Sequence, residues 1–278
     1  TYPVFRDAVF SWAKEKLWIK SILSEHCDIP PERILFIPHH LSHIASTFNC
    51  YTFKSAAILR IYGVGEWSTA TIAKAKRQKS KTPDITIYRE MRFPNSLGLL
   101  YSAFTAFLGF CVNSGEYKVM GMSPYGKPKY EKEIYNMVSV HKDGSITLDL
   151  SYFSFQYHRT TSFSKKFIQL FGPPRSPDKD YIAQDKNSQK YADIAASIQK
   201  VTENILLSMA HHAKSLTKED TLCLAGGVAL NGVANYTLMK SGIFDHHFIQ
   251  PAAGDAGGAM GAALYADSQL NKKPTVFT

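Results

Sequence analysis

Cysteine is scarce in this chain. Only four occur in 278 residues, Cys27, Cys50, Cys111 and Cys223, and no two form a Cys-x-x-Cys pair. That spacing argues against a disulfide framework and against a thiolate zinc site, and it fits a reducing, cytoplasmic setting. Long apolar runs are lacking as well. The most apolar stretch, Leu97 to Val112, is too short to span a bilayer and carries Ser102 and Thr105, so it reads as a buried helix. No signal peptide is expected: the chain starts at Thr1, and Val4 to Leu23 mixes apolar residues with Lys14, Glu15, Lys16 and Lys20, an amphipathic helix. Acidic residues are the minority, 23 against 32 basic ones, which leaves a formal charge of +9. Part of the excess is one acid-free run: Lys74, Lys76, Arg77, Lys79 and Lys81. No aromatic residue interleaves with it, so a stacking surface for single strands is not supported, and a solvated hairpin tip explains it better than nucleic acid does.

What is present is enough apolar material, 45%, to build one large α/β domain or two small ones. The chain is organised around Phe36 to Glu66. The apolar run Ile34 to Ile37 ends at Pro38 and suits a buried strand that feeds a helix. On such a helix His39 and His43 stand at i and i+4, one turn apart on one face, where both rings reach one ion. Zinc, iron and nickel all accept imidazole. Two histidines so spaced are, taken alone, more often a satisfied pair than ligands, and only a third ligand from a distant stretch decides the matter. Ala56 to Tyr62, Ser68 to Lys74 and Asp84 to Arg92 read as an antiparallel meander. Between the first two, Gly63 and Gly65 form a turn that permits positive φ and presents amides to a phosphate, although such glycines are common without a ligand.

Farther along, a helix is expected from about Ser96 to Phe110, then a dense polar loop in which Glu116 and Lys118 serve a ligand or pair with each other. Residues 127 to 185 read as a polar, irregular insertion with a hairpin at Lys142-Asp143-Gly144 and a mobile stretch from Pro173 to Asp185. The last ninety residues give a helix over Ser188 to Leu216, then strand–turn–helix twice. Gly226-Gly227 and Pro251 to Asp255 are the turns. Either helix start suits a phosphate. Close packing alone explains the glycines of Gly257-Gly258-Ala259-Met260-Gly261 equally well.

Six blocks then resemble, in order, the O-carbamoyltransferases of the nodulation-protein and antibiotic-tailoring type: Pro38-His39-His40-Leu41-Ser42-His43, Gly63-Val64-Gly65-Glu66-Trp67, Ser96-Leu97-Gly98-Leu99-Leu100-Tyr101, Ser114-Gly115-Glu116-Tyr117-Lys118-Val119-Met120-Gly121, Ala225-Gly226-Gly227-Val228-Ala229-Leu230-Asn231 and Gln250-Pro251-Ala252-Ala253-Gly254-Asp255-Ala256-Gly257-Gly258-Ala259. Their amino-terminal part is similar to the tRNA threonylcarbamoyladenosine transferase. Both are of the actin-like ATPase fold, an α/β architecture of two ribonuclease-H-like halves around a nucleotide cleft. The resemblance implies that residues 1–50 close a first half-lobe and residues 51–278 form the second, with the insertion near 127–185.

It also implies roles. His39, His43 and Asp255 would hold a divalent metal, iron by likeness. Gly63, Val64, Gly65 and Glu66 would line the phosphate side of a carbamoyl adenylate, Gly226, Gly227 and Asn231 its adenosine, with Lys118 a further nucleotide contact. His40 would be the general base that frees a sugar-like hydroxyl for attack on the carbamoyl carbon. Where the family has an aspartate ligand this chain has Tyr62, kept as an altered metal ligand, and where it has histidine this chain has Asn95. Family members also carry a preceding segment and a following domain that makes the adenylate from ATP and carbamoyl phosphate; both are expected as partners. The alternatives are a catalytically silent nucleotide-binding relative and a tRNA-modifying threonylcarbamoyl transferase.

Overall fold

The computed structural model describes residues 2–14, 16–78, 83–158, 161–178, 182 and 185–271. Lys79 and Lys81 of the basic run lie outside the described residues, as do 179–181, 183 and 184 of the stretch expected to be mobile. Two helices, α1 (Tyr2–Lys14) and α2 (Ile19–Cys27), precede the histidine helix α3 (His39–Phe48). Then come β1 (Ser55–Gly65), β2 (Ser68–Lys76), β3 (Asp84–Arg92), α4 (Leu97–Phe107), α5 (Glu116–Met122), α6 (Glu131–Tyr135), β4 (Val138–Val140), β5 (Ile146–Leu148) and α7 (Lys165–Phe171). The long α8 (Lys186–Thr217), β6 (Thr221–Ala225), α9 (Gly232–Lys240), β7 (His246–Ile249) and α10 (Asp255–Asn271) complete the order.

Five strands form one mixed sheet in the order β3-β2-β1-β6-β7. β1, β2 and β3 pair antiparallel, and β6 and β7 run parallel to β1. β1 is buried on both faces, as its run Ala-Ala-Ile-Leu predicts for a central strand. Residues of one parity, Ala57, Leu59 and Ile61, join α4 and α8 in the larger core; the other parity, Ala56 and Ile58, packs on Ile44 and Phe48 of α3. The carboxyl ends of β1, β6 and β7 therefore open toward one side, which in open α/β sheets is where ligand crevices form.

Several expectations change. Ile34 to Ile37 is not a strand: it is coil, with Leu35 54% and Phe36 62% exposed, because it finds no ladder partner among the described residues. Gly63 and Gly65 are not the hairpin tip. β1 continues through both, and the turn is Glu66-Trp67, with Glu66 taking the positive φ of 59°. Close approach explains Gly65, where a Cβ would strike His39 and Arg60, and a third glycine, Gly98, that meets the Gly63 backbone. A Cβ on Gly98, at the start of α4, would lie 2.7 Å from the Gly63 amide nitrogen, so α4 docks directly on the β1 backbone. Ser96 caps α4 by accepting from the Leu99 amide, and its hydroxyl donates to the Gly63 carbonyl at 2.6 Å.

Residues 127–171 are less polar in space than in sequence. Ile134, Met137, Val138, Ile146, Leu148, Phe153, Phe167 and Phe171 all enter the main core. Asp193 of α8 fixes this segment through the Lys127 amide and the Lys129 ammonium. Arg175 donates its amide to the Phe107 carbonyl, so the stretch after Pro173 is anchored there. The basic run is also partly committed: Lys74 pairs with Glu219 at 2.6 Å, and Arg77 donates to the Phe48, Tyr51 and Phe53 carbonyls. No described helix is long and apolar enough to cross a membrane.

Phe107 packs edge-on or tilted against Phe163, Phe167 and Phe171 and is fully buried. Phe107→Ala should cost roughly 3–5 kcal/mol of stability, read as a lower denaturant midpoint at unchanged slope. A loss below about 1 kcal/mol would mean that this cluster is not part of the core.

Candidate functional site

The site begins with a packing constraint. α10 opens with glycines, and those glycines face α3. A Cβ on Gly261 would sit 1.8 Å from the Ser42 carbonyl oxygen, and one on Gly258 would touch the His43 ring at 3.5 Å. Close packing is thus the reason for the small-residue stripe, and its effect is to hold the histidine helix against the start of α10. Gln250 adds a clamp: its amide donates to the Ser46 carbonyl of α3, and its side-chain oxygen accepts from the Ala252 amide in the turn before α10.

That arrangement brings three expected ligands together. His39 Nε2 and His43 Nε2 face each other at 3.1 Å, and Asp255 Oδ1 lies 3.9 and 3.8 Å from them. All the donor atoms fall within 4.8 Å of one another. The residues fit a divalent cation: two imidazole nitrogens about 3 Å apart match neighbouring ligands on bonds of about 2.1 Å. His43 is 0% exposed and its Nδ1 has no hydrogen-bond partner among the described residues, which leaves the ring without a fixed tautomer. Asp255 is 69% exposed in its side chain and stands in the first turn of α10, where the helix dipole favours a carboxylate.

Electrostatics keep the imidazoles neutral. Burial, with His39 and Arg60 nearby, pushes His43 down to about 4. Burial and the Arg60 guanidinium also lower His39 and His40. A neutral imidazole is the form that ligates.

Tyr62 sits beside both rings, with centroids at 5.1 and 5.5 Å. Burial and the nearby Asp255 carboxylate raise its phenol to about 12, so it stands protonated beside that carboxylate. Glu66 accepts a long hydrogen bond, 3.4 Å, from the His39 amide at the start of α3. Gly65 lies under the histidine: a Cβ there would be 2.0 Å from His39 Cδ2. Gly63 lies under α4 and Val64 is exposed. His40 feels the charges of Arg60, Glu90 and Glu66 and is not in the ligand trio.

The other expected contacts are distributed. Gly226 has φ 92° and its amide is already given to the Ala253 carbonyl; Gly227 lies 3.3 Å from the Tyr62 ring, measured from where its Cβ would be. Contrary to the expectation from the sequence, neither glycine opens an α-helix: a short 3-10 turn, Gly227–Leu230, intervenes, and Asn231 caps α9 instead. Asn231 also exchanges hydrogen bonds with Gln199 of α8, which in turn meets Tyr101 and Glu203. That polar group carries no sequence motif; only the i, i+4 spacing of Gln199 and Glu203 hints at it. Lys118 is exposed on α5, over the Phe110 and Tyr117 rings, and Glu116 does not pair with it but accepts from Ser102 and the Asn113 amide. Asn95 accepts from the Leu148 amide and is structural.

Comparison with known proteins supplies the rest. The family model described as "Carbamoyltransferase N-terminus" matches residues 6–264. The uncharacterised protein sll1178 of Synechocystis is 45% identical over 270 residues, 94% of this chain and 42% of that protein. Nodulation protein NolNO of Sinorhizobium fredii is 32% identical over 260 residues, 92% of this chain and 35% of that protein. Nodulation protein NolO of Bradyrhizobium diazoefficiens is 33% identical over 237 residues, 84% and 39%. The chain thus spans 35–42% of the length of these relatives.

The buried imidazole has a consequence for acid stability. His43 binds a proton more readily unfolded, near its ordinary 6.5, than folded, near 4, so its contribution is complete above 6.5 and is lost as pH falls through that window. The loss should reach on the order of 3 kcal/mol by the lower end. Chemical denaturation across the window should show the decline, and His43→Leu should make it shallower. An equally steep decline in the variant would show that His43 does not titrate in this way.

Proposed function

This chain belongs to the carbamoyltransferase amino-terminal family, and from that premise we propose that it is the acyl-transfer part of an enzyme that moves a carbamoyl group from carbamoyl adenylate to a hydroxyl of a small, sugar-like acceptor. The observation that carries the reading is the convergence of His39, His43 and Asp255 at the carboxyl ends of the parallel strands. The sheet order, a three-stranded antiparallel meander followed by two parallel strands, supports a ribonuclease-H-like half-lobe of the actin-like fold. The division near residue 50 and the role of 127–185 belong to the same proposal.

His39, His43 and Asp255 would hold a divalent cation, iron by resemblance. When bound, that cation would supply a Lewis acid beside a phosphoryl or carbamoyl oxygen. In the transfer itself the acceptor oxygen forms a bond to the carbamoyl carbon, the bond from that carbon to the phosphate oxygen breaks, and AMP leaves with the electron pair. The acceptor proton goes to a base. His40 fits that task in one respect: burial and Arg60 lower its pKa, so a neutral imidazole is available to accept. Glu66 and Gly65 would border the phosphate through their contacts with His39. Gly227 and the Asn231–Gln199 pair would meet the adenosine, and Lys118 is a more peripheral nucleotide contact. Relatives are longer, so the adenylate would be made by another part of the full protein from ATP and carbamoyl phosphate.

One observation favours a second reading, a silent relative that binds nucleotide without transfer. Tyr62 holds its proton, raised to about 12 by burial and by Asp255, so the site offers a cation a neutral phenol where a charged ligand would stand. The two readings separate cleanly. Under transfer, the purified chain carries metal that His39→Ala reduces to background, and AMP is released from synthetic carbamoyl adenylate only when a hydroxyl acceptor is present. Acceptor-independent release, or metal content indifferent to His39, would sink the transfer reading. Tyr62→Asp should tighten metal binding on the order of tenfold, the scale of ligand-sphere changes. Unchanged affinity would remove Tyr62 from the ligand set.

A further inference from the structure

Arg60 is the largest fully buried side chain among the described residues, at 0% exposure, in the apolar middle of β1. Its Nη1 is satisfied: it donates to the Ser68 carbonyl at 3.2 Å and to the Ser68 hydroxyl at 3.1 Å. Its Nε and Nη2 have no hydrogen-bond partner among the described residues. Those two nitrogens are not a random pair. They form one edge of the guanidinium, two parallel N–H donors spaced to meet two oxygens of a phosphate or carboxylate.

The free edge faces the candidate site. Nη2 lies 2.4 Å, and His39 Nε2 2.6 Å, from where a Cβ on Gly65 would stand, so the guanidinium and the imidazole meet over that glycine. The nearby carboxylates act on Arg60 from a distance, but each is engaged elsewhere. Glu66 accepts from the His39 amide, Glu90 holds Arg92 at 2.8 Å, and Asp255 stands beside His39 and His43. Burial pushes Arg60 down to about 10, which still leaves it charged at neutral pH. A buried charge with two unmet donors is costly, and the cost is recovered only when an anion arrives.

We infer that Arg60 is an oxyanion-binding residue of this site, its free Nε/Nη2 edge taking two oxygens of a phosphate or carboxylate group that enters beside His39. This rests on the cleft being the acyl-transfer site proposed above, where the leaving group is a phosphate ester. It adds a binding determinant that is independent of the metal.

The test is equilibrium binding of inorganic phosphate, and in parallel of acetate, to the purified chain in the presence of a chelator, followed by calorimetry and by thermal melting. Phosphate should raise the melting temperature of the wild type, and Arg60→Met should weaken that binding roughly tenfold or more, the scale of a charged hydrogen-bonding pair. Without anion, Arg60→Met should melt no lower than the wild type, because the substitution removes an unsatisfied buried charge. Should Arg60→Met fail to fold, Arg60→Lys, which keeps the charge but loses the fork, should still weaken the binding. Preference for acetate over phosphate, if lost in Arg60→Met, assigns the edge to a carboxylate and supports the inference. Equal anion affinity in wild type and variant, or no binding of either anion to the wild type, overturns it. No carbamoyl donor or acceptor is used, so phosphate binding through Arg60 in a chain that transfers nothing would sink the transfer reading alone.

Discussion

The close crossing of α3 and α10 is the constraint on which the site depends. Gly261 must lack a side chain because the Ser42 carbonyl occupies its place, and a Cβ on Gly258 would already be in contact with the His43 ring. Interiors are packed densely enough that one added carbon cannot be absorbed where backbone meets backbone. With the helices in contact, the amino-terminal turn of α10 falls beside the first two turns of α3, and Asp255 comes within 4 Å of both imidazoles. The Gln250 clamp on Ser46 ties the preceding turn to the same helix. The geometry of three polar side chains is thus set by apolar and backbone contacts elsewhere, as preorganised sites require.

The sequence made part of this legible, for definite reasons. His39 and His43 were readable because helical spacing is a strong local rule, and the meander because its strands alternate or run apolar between turns. Asp255 was reachable only through family resemblance, since no local pattern links a residue in a late turn to a helix 210 residues earlier. The glycines were harder. Gly98, Gly65 and Gly261 look alike in sequence to glycines that bend the chain, yet here each yields space to a neighbour: the Gly63 backbone, His39 and Ser42 respectively. Ile34 to Ile37 was misread because apolar content predicts burial only where something stands ready to cover it. Residues 127–171 were read as polar and irregular, yet their phenylalanines are spaced at no single period and meet only in the fold.

Arg60 was invisible for the opposite reason. It sits in the run Ala56-Ala57-Ile58-Leu59-Arg60-Ile61, where alternation would put it toward α3 with Ile58, and nothing in a sequence tells whether such an arginine reaches solvent. In the fold it does not. Its charge adds to the larger effect of burial: both lower His39, His40 and His43 and keep the imidazoles neutral.

Tyr62 and Arg60, two residues apart on the same strand, therefore both act on one site. Tyr62 stands protonated beside Asp255 and brings no negative charge to a cation. Arg60 adds to burial in keeping protons, the usual competitor, off the histidines, but its own positive charge opposes a cation as well. How much each matters follows from where each acts. The Asp255 side chain is mostly exposed, so what Tyr62 does to it is exchanged against water at modest cost, whereas His43 is fully buried and cannot trade its environment for solvent. The buried pair sets the character of the site, and the exposed carboxylate with its tyrosine adjusts its affinity.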